Sequence, residues 1–161
     1  MPLKTIFTES GQTLLANNQG QVLLINASGI VEFGWRTFEA PIFAVGPTTA
    51  LSVADGVAYW EVGPHLNGAT LTAVRAYIPT AGSSGNNTIQ VRDRALNQNI
   101  LSTAITVEVS ETSSSTAATQ PVINATYEQF YTGQVIAIDV DAVSTGAAGL
   151  QVTLLGHFGA P

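Results

Sequence analysis

The chain has 161 residues, of which 11 are acidic, 5 basic, 45% hydrophobic and none Cys. The missing Cys excludes disulfides, zinc–thiolate sites and thiol catalysis, and the net charge of −6 with so few cations excludes the counterion-displacing footprint of a nucleic-acid binder. No apolar run approaches the ~20 residues of a spanning helix, so neither nucleic acid nor membrane is expected as a partner.

With few charges, the polar surface must come from Thr, Ser, Asn, Gln and Gly, residues that suit β-structure better than exposed helix. Such a neutral surface packs against partner subunits with little charge to desolvate. The opening Met1-Pro2-Leu3-Lys4-Thr5-Ile6 lacks the apolar stretch of about 7–15 residues that marks a signal peptide. Synthesis in a cytoplasm is the expectation, and the glycosylation-type triplets at Asn26, Asn87 and Asn124 read as chance.

The first forty residues carry a weak repeat. Gly11-Gln12-Thr13-Leu14-Leu15 is echoed by Gly20-Gln21-Val22-Leu23-Leu24, and Gly29-Ile30-Val31 keeps the spacing. Each unit reads as a short strand closed by a Gly/Asn/Ser turn. The segment is either a hairpin or meander on the main domain, or an arm pairing with neighbouring chains, because units this small bury no apolar face alone. Residues 30–47 hold Phe33, Trp35, Phe38 and Phe43, punctuated by Pro41 and Pro47. They read as core or its lid, or as an apolar patch that docks on a partner.

From about Thr49 a regular series of strands begins. In Val57-Ala58-Tyr59-Trp60-Glu61-Val62, the period of two turns Ala58, Trp60 and Val62 inward and Tyr59 outward. Ala69 to Ile78 forms the next strand, and a flexible turn segment, Thr80 to Asn87, follows. Ile89, Val91 and Asp93 then share one face, opposite Gln90, Arg92 and Arg94. Leu101, Thr103, Ile105, Val107 and Val109 share a face as one strand. A polar loop from Ser110 to Gln120 leads to Val122-Ile123 and to Tyr127–Tyr131, with one helical turn near Ala125–Phe130 as the best helical candidate. Val135–Val143 and Leu150–Phe158 make the last two strands.

This pattern predicts an all-β protein: an antiparallel, jelly-roll-like β-sandwich over residues 49–161, preceded by a β-arm over residues 1–48. An immunoglobulin-like topology is the runner-up.

Chemistry-bearing residues are sparse. His65 and His157 are the only histidines, and neither sits in a nucleophile–base pattern. Asp139 and Asp141 project from one strand face about 7 Å apart. That spacing fits a solvated face first, then part of a Ca²⁺ site, and last a glycosidase pair. Asp55 is a turn former. No catalytic residue, metal site or cofactor is expected. Tyr59, Tyr77, Tyr127 and Tyr131 are the candidate ligand-binding residues, as rings offered to sugars, although Tyr suits protein interfaces equally.

The block from Val53-Ala54-Asp55-Gly56-Val57-Ala58-Tyr59-Trp60 onward resembles a β-sandwich region of tailed-bacteriophage structural proteins. The likeness continues through Leu66-Asn67-Gly68, Thr88-Ile89-Gln90-Val91-Arg92, Leu101-Ser102-Thr103, Ser113-Ser114-Ser115-Thr116-Ala117-Ala118 and Ile136-Ala137-Ile138-Asp139-Val140-Asp141. It implies a virion surface part: a capsid decoration (cement) protein, a head fibre or knob, or a fibre tip, assembled as a homotrimer and without enzymatic residues. The expected function is a non-enzymatic decoration protein that stabilises the outer capsid surface, with the major capsid protein as partner and the virion as location. The alternative is a receptor-binding adhesin, a head- or tail-fibre tip recognising host surface polysaccharide. A glycan-degrading domain using Asp139 and Asp141 is a third reading. Chain length and the lack of a sustained heptad favour decoration over a fibre tip.

Overall fold

Alternation of apolar and polar residues sets the inward face of each long strand. The computed structural model describes Thr5–Phe7, Thr13–Leu15, Gln21–Ile25 and residues 31–158, with side chains from Arg36 onward. The strands are β1 (Thr5–Phe7), β2 (Thr13–Leu15), β3 (Gln21–Ile25), β4 (Val31–Trp35), β5 (Thr37–Ala50), β6 (Ala54–Glu61) and β7 (Ala69–Tyr77). They continue as β8 (Asn87–Asp93), β9 (Gln98–Asn99), β10 (Leu101–Thr103), β11 (Ile105–Val107), β12 (Val122–Ile123), β13 (Val135–Ala142) and β14 (Ala148–Phe158).

Two antiparallel sheets pack face to face, ordered β5–β14–β7 and β11–β8–β13–β6. The first long strand pairs with the last and β6 pairs with β13. Further in, β8 pairs with β11, while β12, bonded to β10, lies beside β7. That nested pairing of early with late strands is a rolled-up hairpin, the jelly-roll arrangement. It settles the choice against the immunoglobulin-like alternative.

Ile136, Ile138 and Val140 of β13 point inward with Ile89 and Val91 of β8, against Leu150, Val152 and Leu154 of β14. Each such side chain stabilises the fold by about 1.5–3 kcal/mol through burial.

Several local expectations meet a different outcome. The sandwich takes in Thr37–Ala50 as its first strand, so it begins ahead of residue 49. β5 is an edge strand, which is why Pro41 and Pro47 are tolerated in it. The run Leu101–Val109 is two strands rather than one: it breaks at Ala104, where the chain leaves β12 for β8, although Leu101, Ile105 and Val107 all stay buried.

Residues 125–130 form no helix. Asn124 Oδ1 accepts from Thr126 N, an Asx turn, and the chain is then drawn onto β7 through Leu71 N to Glu128 O and Phe130 N to Ala69 O. The segment Thr80–Asn87 is pinned rather than loose. Ser83 N donates to Thr145 O (2.9 Å), Thr145 N to Ser84 O (2.9 Å) and Ser110 N to Gly82 O (2.9 Å). Asn87 is fully buried and its Oδ1 accepts from Ser144 N, so it is no glycosylation acceptor in the folded chain.

In the amino-terminal repeat, β1 pairs with β2 and β3 with β4. The side chains of Phe33 and Trp35, and the turns of the repeat, lie outside the described residues. Beyond them Phe38, Trp60, Phe130 and Phe158 form an aromatic cluster, with ring centroids 5.8–6.4 Å apart and the Arg36 guanidinium over Phe158. Gly156 permits this cluster, since a Cβ there would strike the Thr70 carbonyl and the Phe38 ring.

Candidate functional site

The four candidate tyrosines fall in three places. Tyr127 and Tyr131 line one cleft of about 560 Å³, between the β8–β9 turn and the segment 125–134. Tyr59 lies on the outer face of the β6–β13–β8 sheet, and Tyr77 on the outer face of β5–β14–β7.

The cleft is organised from its floor. Asp93, at the end of β8, is 4% exposed; its Oδ1 accepts from Ala95 N (2.8 Å) and Leu96 N (2.9 Å), which closes the turn. Its Oδ2 accepts from Gln134 Nε2 at 2.7 Å. Gln134 Oε1 in turn accepts from Tyr131 N, and Tyr131 Oη donates to Gln129 Oε1 (3.1 Å). One buried carboxylate thereby fixes both walls. Leu96, held by that turn, is 59% exposed, and Tyr131 is 58% exposed. Sequence reasoning named the two tyrosines but missed Asp93, Leu96, Gln129 and Gln134. The readable signal was Asp93 followed by two residues whose amides an Asx turn would bind.

On the β6–β13–β8 face, Tyr59, Ala137 and Arg92 form one cross-strand row. Asp139 is not the solvated carboxylate that alternation predicts. It is 4% exposed and takes Arg92 in a two-pronged pair, Nε to Oδ2 at 2.6 Å and Nη2 to Oδ1 at 3.0 Å. Its Oδ1 also accepts from Gly56 N at 2.6 Å. Gly56 occupies an irregularity in β6 opposite Asp139, with φ +64°, and a Cβ there would strike the Tyr59 hydroxyl. Glycine thus lets the backbone donate to Asp139 and lets the Tyr59 ring lie flat, under the Arg94 guanidinium at 4.9 Å.

The hydrogen bond to Asp139 raises the pKa of Arg92. Asp141 is exposed, yet partial desolvation, followed by the charges of Asp139 and Asp55, raises its carboxyl pKa. Among the described residues no group of three or more His, Asp or Glu is placed to hold a metal. Both oxygens of Asp139 are engaged, by Arg92 and by the Gly56 amide.

On the opposite sheet, Gln151 of β14 stands in register with Phe43 of β5 and with Tyr77 of β7. Phe43 is 78% exposed and Tyr77 48%. With Val45, Pro47 and Pro79 they frame an apolar depression of about 370 Å³. Phe43 is therefore surface, whereas Phe38 joins the core edge.

His65 is exposed in the 3₁₀ turn Pro64–Leu66, and His157 lies on the outer side of β14. No protein-family model matches the chain, and no curated protein matches it.

Proposed function

We propose that this chain is a non-enzymatic structural protein of a tailed-bacteriophage virion, a decoration protein that binds the outer capsid surface as a homotrimer. The observation that carries the reading is the row Phe43–Gln151–Tyr77, in which two large rings turned to solvent flank Gln151 on one sheet face. Neighbouring exposed rings of this kind are features of protein interfaces. The resemblance to virion β-sandwich regions supplies the identity of the partner, the major capsid protein. Weak contacts repeated over a symmetric shell add through multivalency.

Co-sedimentation of the full chain with expanded empty capsids of the encoding phage tests the proposal. Binding is expected for the native sequence and is lost in Phe43→Asp/Tyr77→Asp. Sedimentation velocity of the unbound protein should give three times the 16.7 kDa chain mass. No association with capsids, or turnover of a glycan by the isolated protein, overturns it.

A further inference from the structure

We propose that the cleft between Leu96 and Tyr131 binds a neutral oligosaccharide without cleaving it. The inference goes beyond the decoration role and stands on whichever part of a particle the chain occupies.

The shape comes first. At about 560 Å³ the cleft matches the size of small-ligand sites and opens to solvent. It lies at the end of the sandwich where β7 begins and β14 finishes, whereas the Phe43–Tyr77 strip lies toward the opposite end of those strands. A partner seated on that strip leaves the cleft open.

The lining then selects the ligand. Tyr131 and Leu96, both largely exposed, line the cleft with the Tyr127 ring, beside the hydroxyls of Thr126 and Thr132, the amides of Gln129 and Gln134 and the carboxylates of Asp93 and Glu128. A pyranose presents just this pairing: a C–H face for an aromatic ring and a girdle of hydroxyls for amide donors and acceptors. Gln129 Oε1 is occupied by the Tyr131 hydroxyl, which leaves its amide nitrogen to donate.

Charge excludes acidic ligands. No Lys or Arg lines the cleft, so phosphate, sulfate or sialic acid finds no counter-charge. The Asp93 carboxylate is consumed by three internal donors, leaving Glu128 as the one other carboxylate of the lining. One free carboxylate is too little for the usual glycosidase mechanism, which needs one protonated and one ionised carboxylate flanking the bond.

The rim is fixed before any ligand arrives, because Asp93, Gln134 and the Tyr131 backbone form one hydrogen-bonded chain. Little ordering remains to be done on binding.

The test uses the full-length protein and NMR titration with maltotriose, cellotriose and triacetylchitotriose, beside an array carrying neutral, sulfated and sialylated glycans and proline-rich peptides. At least one neutral glycan should bind, with saturable shifts at the amides of Leu96, Tyr131 and Gln134 and no new product by chromatography. Tyr131→Ala should weaken that binding about tenfold, the loss of one ring contact. Tyr131→Phe should keep most of it, and Tyr59→Ala and Tyr77→Ala should bind as the native chain does. Binding confined to acidic glycans or to peptides, no binding of any glycan, hydrolysis, or indifference to Tyr131→Ala each overturns the inference. Capsid co-sedimentation of Tyr131→Ala is expected to stay intact, which separates failure here from failure of the decoration role.

Discussion

The two outer sheet faces of this sandwich spend their side chains in opposite ways. On β6–β13–β8 the charges are matched internally: Arg92 holds Asp139, Gly56 donates to it, and Arg94 covers Tyr59. Even Ala137, on that outer face, is fully buried beneath its neighbours in the row. On β5–β14–β7 the rings of Phe43 and Tyr77 flank Gln151 and remain open to solvent. A charge-poor chain has few ions to distribute: here Arg92 and Asp139 pair on one face, while Glu39 and Arg75 stand exposed on the other. One face satisfies its own polar groups; the other leaves two large rings in solvent.

The sharpest way to break this contrast is to unbalance the self-satisfied face. Arg92→Met keeps the length of the side chain but strands the Asp139 carboxylate in a nearly closed site. Removing one partner of a fully buried pair costs ~3–5 kcal/mol. The Arg92 side chain retains 18% exposure, so water relieves part of that, and a loss of about 2 kcal/mol is expected in urea denaturation. The double variant Arg92→Met/Asp139→Asn should recover part of it, because no charge is then left unpaired and the Asn oxygen can still accept from Gly56 N. A single-variant loss under about 0.5 kcal/mol would mean that the pair is ornamental and the contrast between the faces unreal.

A change on the other face should behave in reverse. Phe43→Asp is expected to alter stability by less than about 0.5 kcal/mol, as for exposed positions generally. It should nonetheless abolish capsid binding. A stability loss of several kcal/mol with association unchanged would make Phe43 a packing residue and remove the open face.

How much of this was readable in the chain depends on how local the cause is. The inward residues of β8, β13 and β14 follow from alternation alone, and so does the outward placement of Tyr59 and Tyr77. The pairing of β5 with β14 was not readable, because nothing in Thr37–Ala50 announces a partner more than a hundred residues away. Alternation also assigned Asp139 to water. It marks which face a side chain leaves from, and what covers that face is decided by long-range neighbours, here Arg92 and the backbone of Gly56. The cleft was half legible: its tyrosines stand out by type, whereas its frame depends on Asp93 and Gln134 meeting across two loops.

The smallest expected effect comes from Asp141, the carboxylate that the matched face leaves over. Partial desolvation and the charges of Asp139 and Asp55 hold its proton more tightly in the folded chain than in the unfolded one. A carboxyl with a raised folded pKa contributes stability only while protonated. That contribution is complete below the unfolded value near ~3.9 and is lost as pH rises through the folded value. Asp141→Asn removes the charge at every pH, so it should be slightly more stable than the native chain at pH 7. The gain should shrink as pH falls through the acid range and disappear below about 3.5. Thermal denaturation of both proteins across pH 3–8 measures this. A pH-independent difference would mean that Asp141 acts through packing or a hydrogen bond, and that the carboxylates on this face do not feel one another.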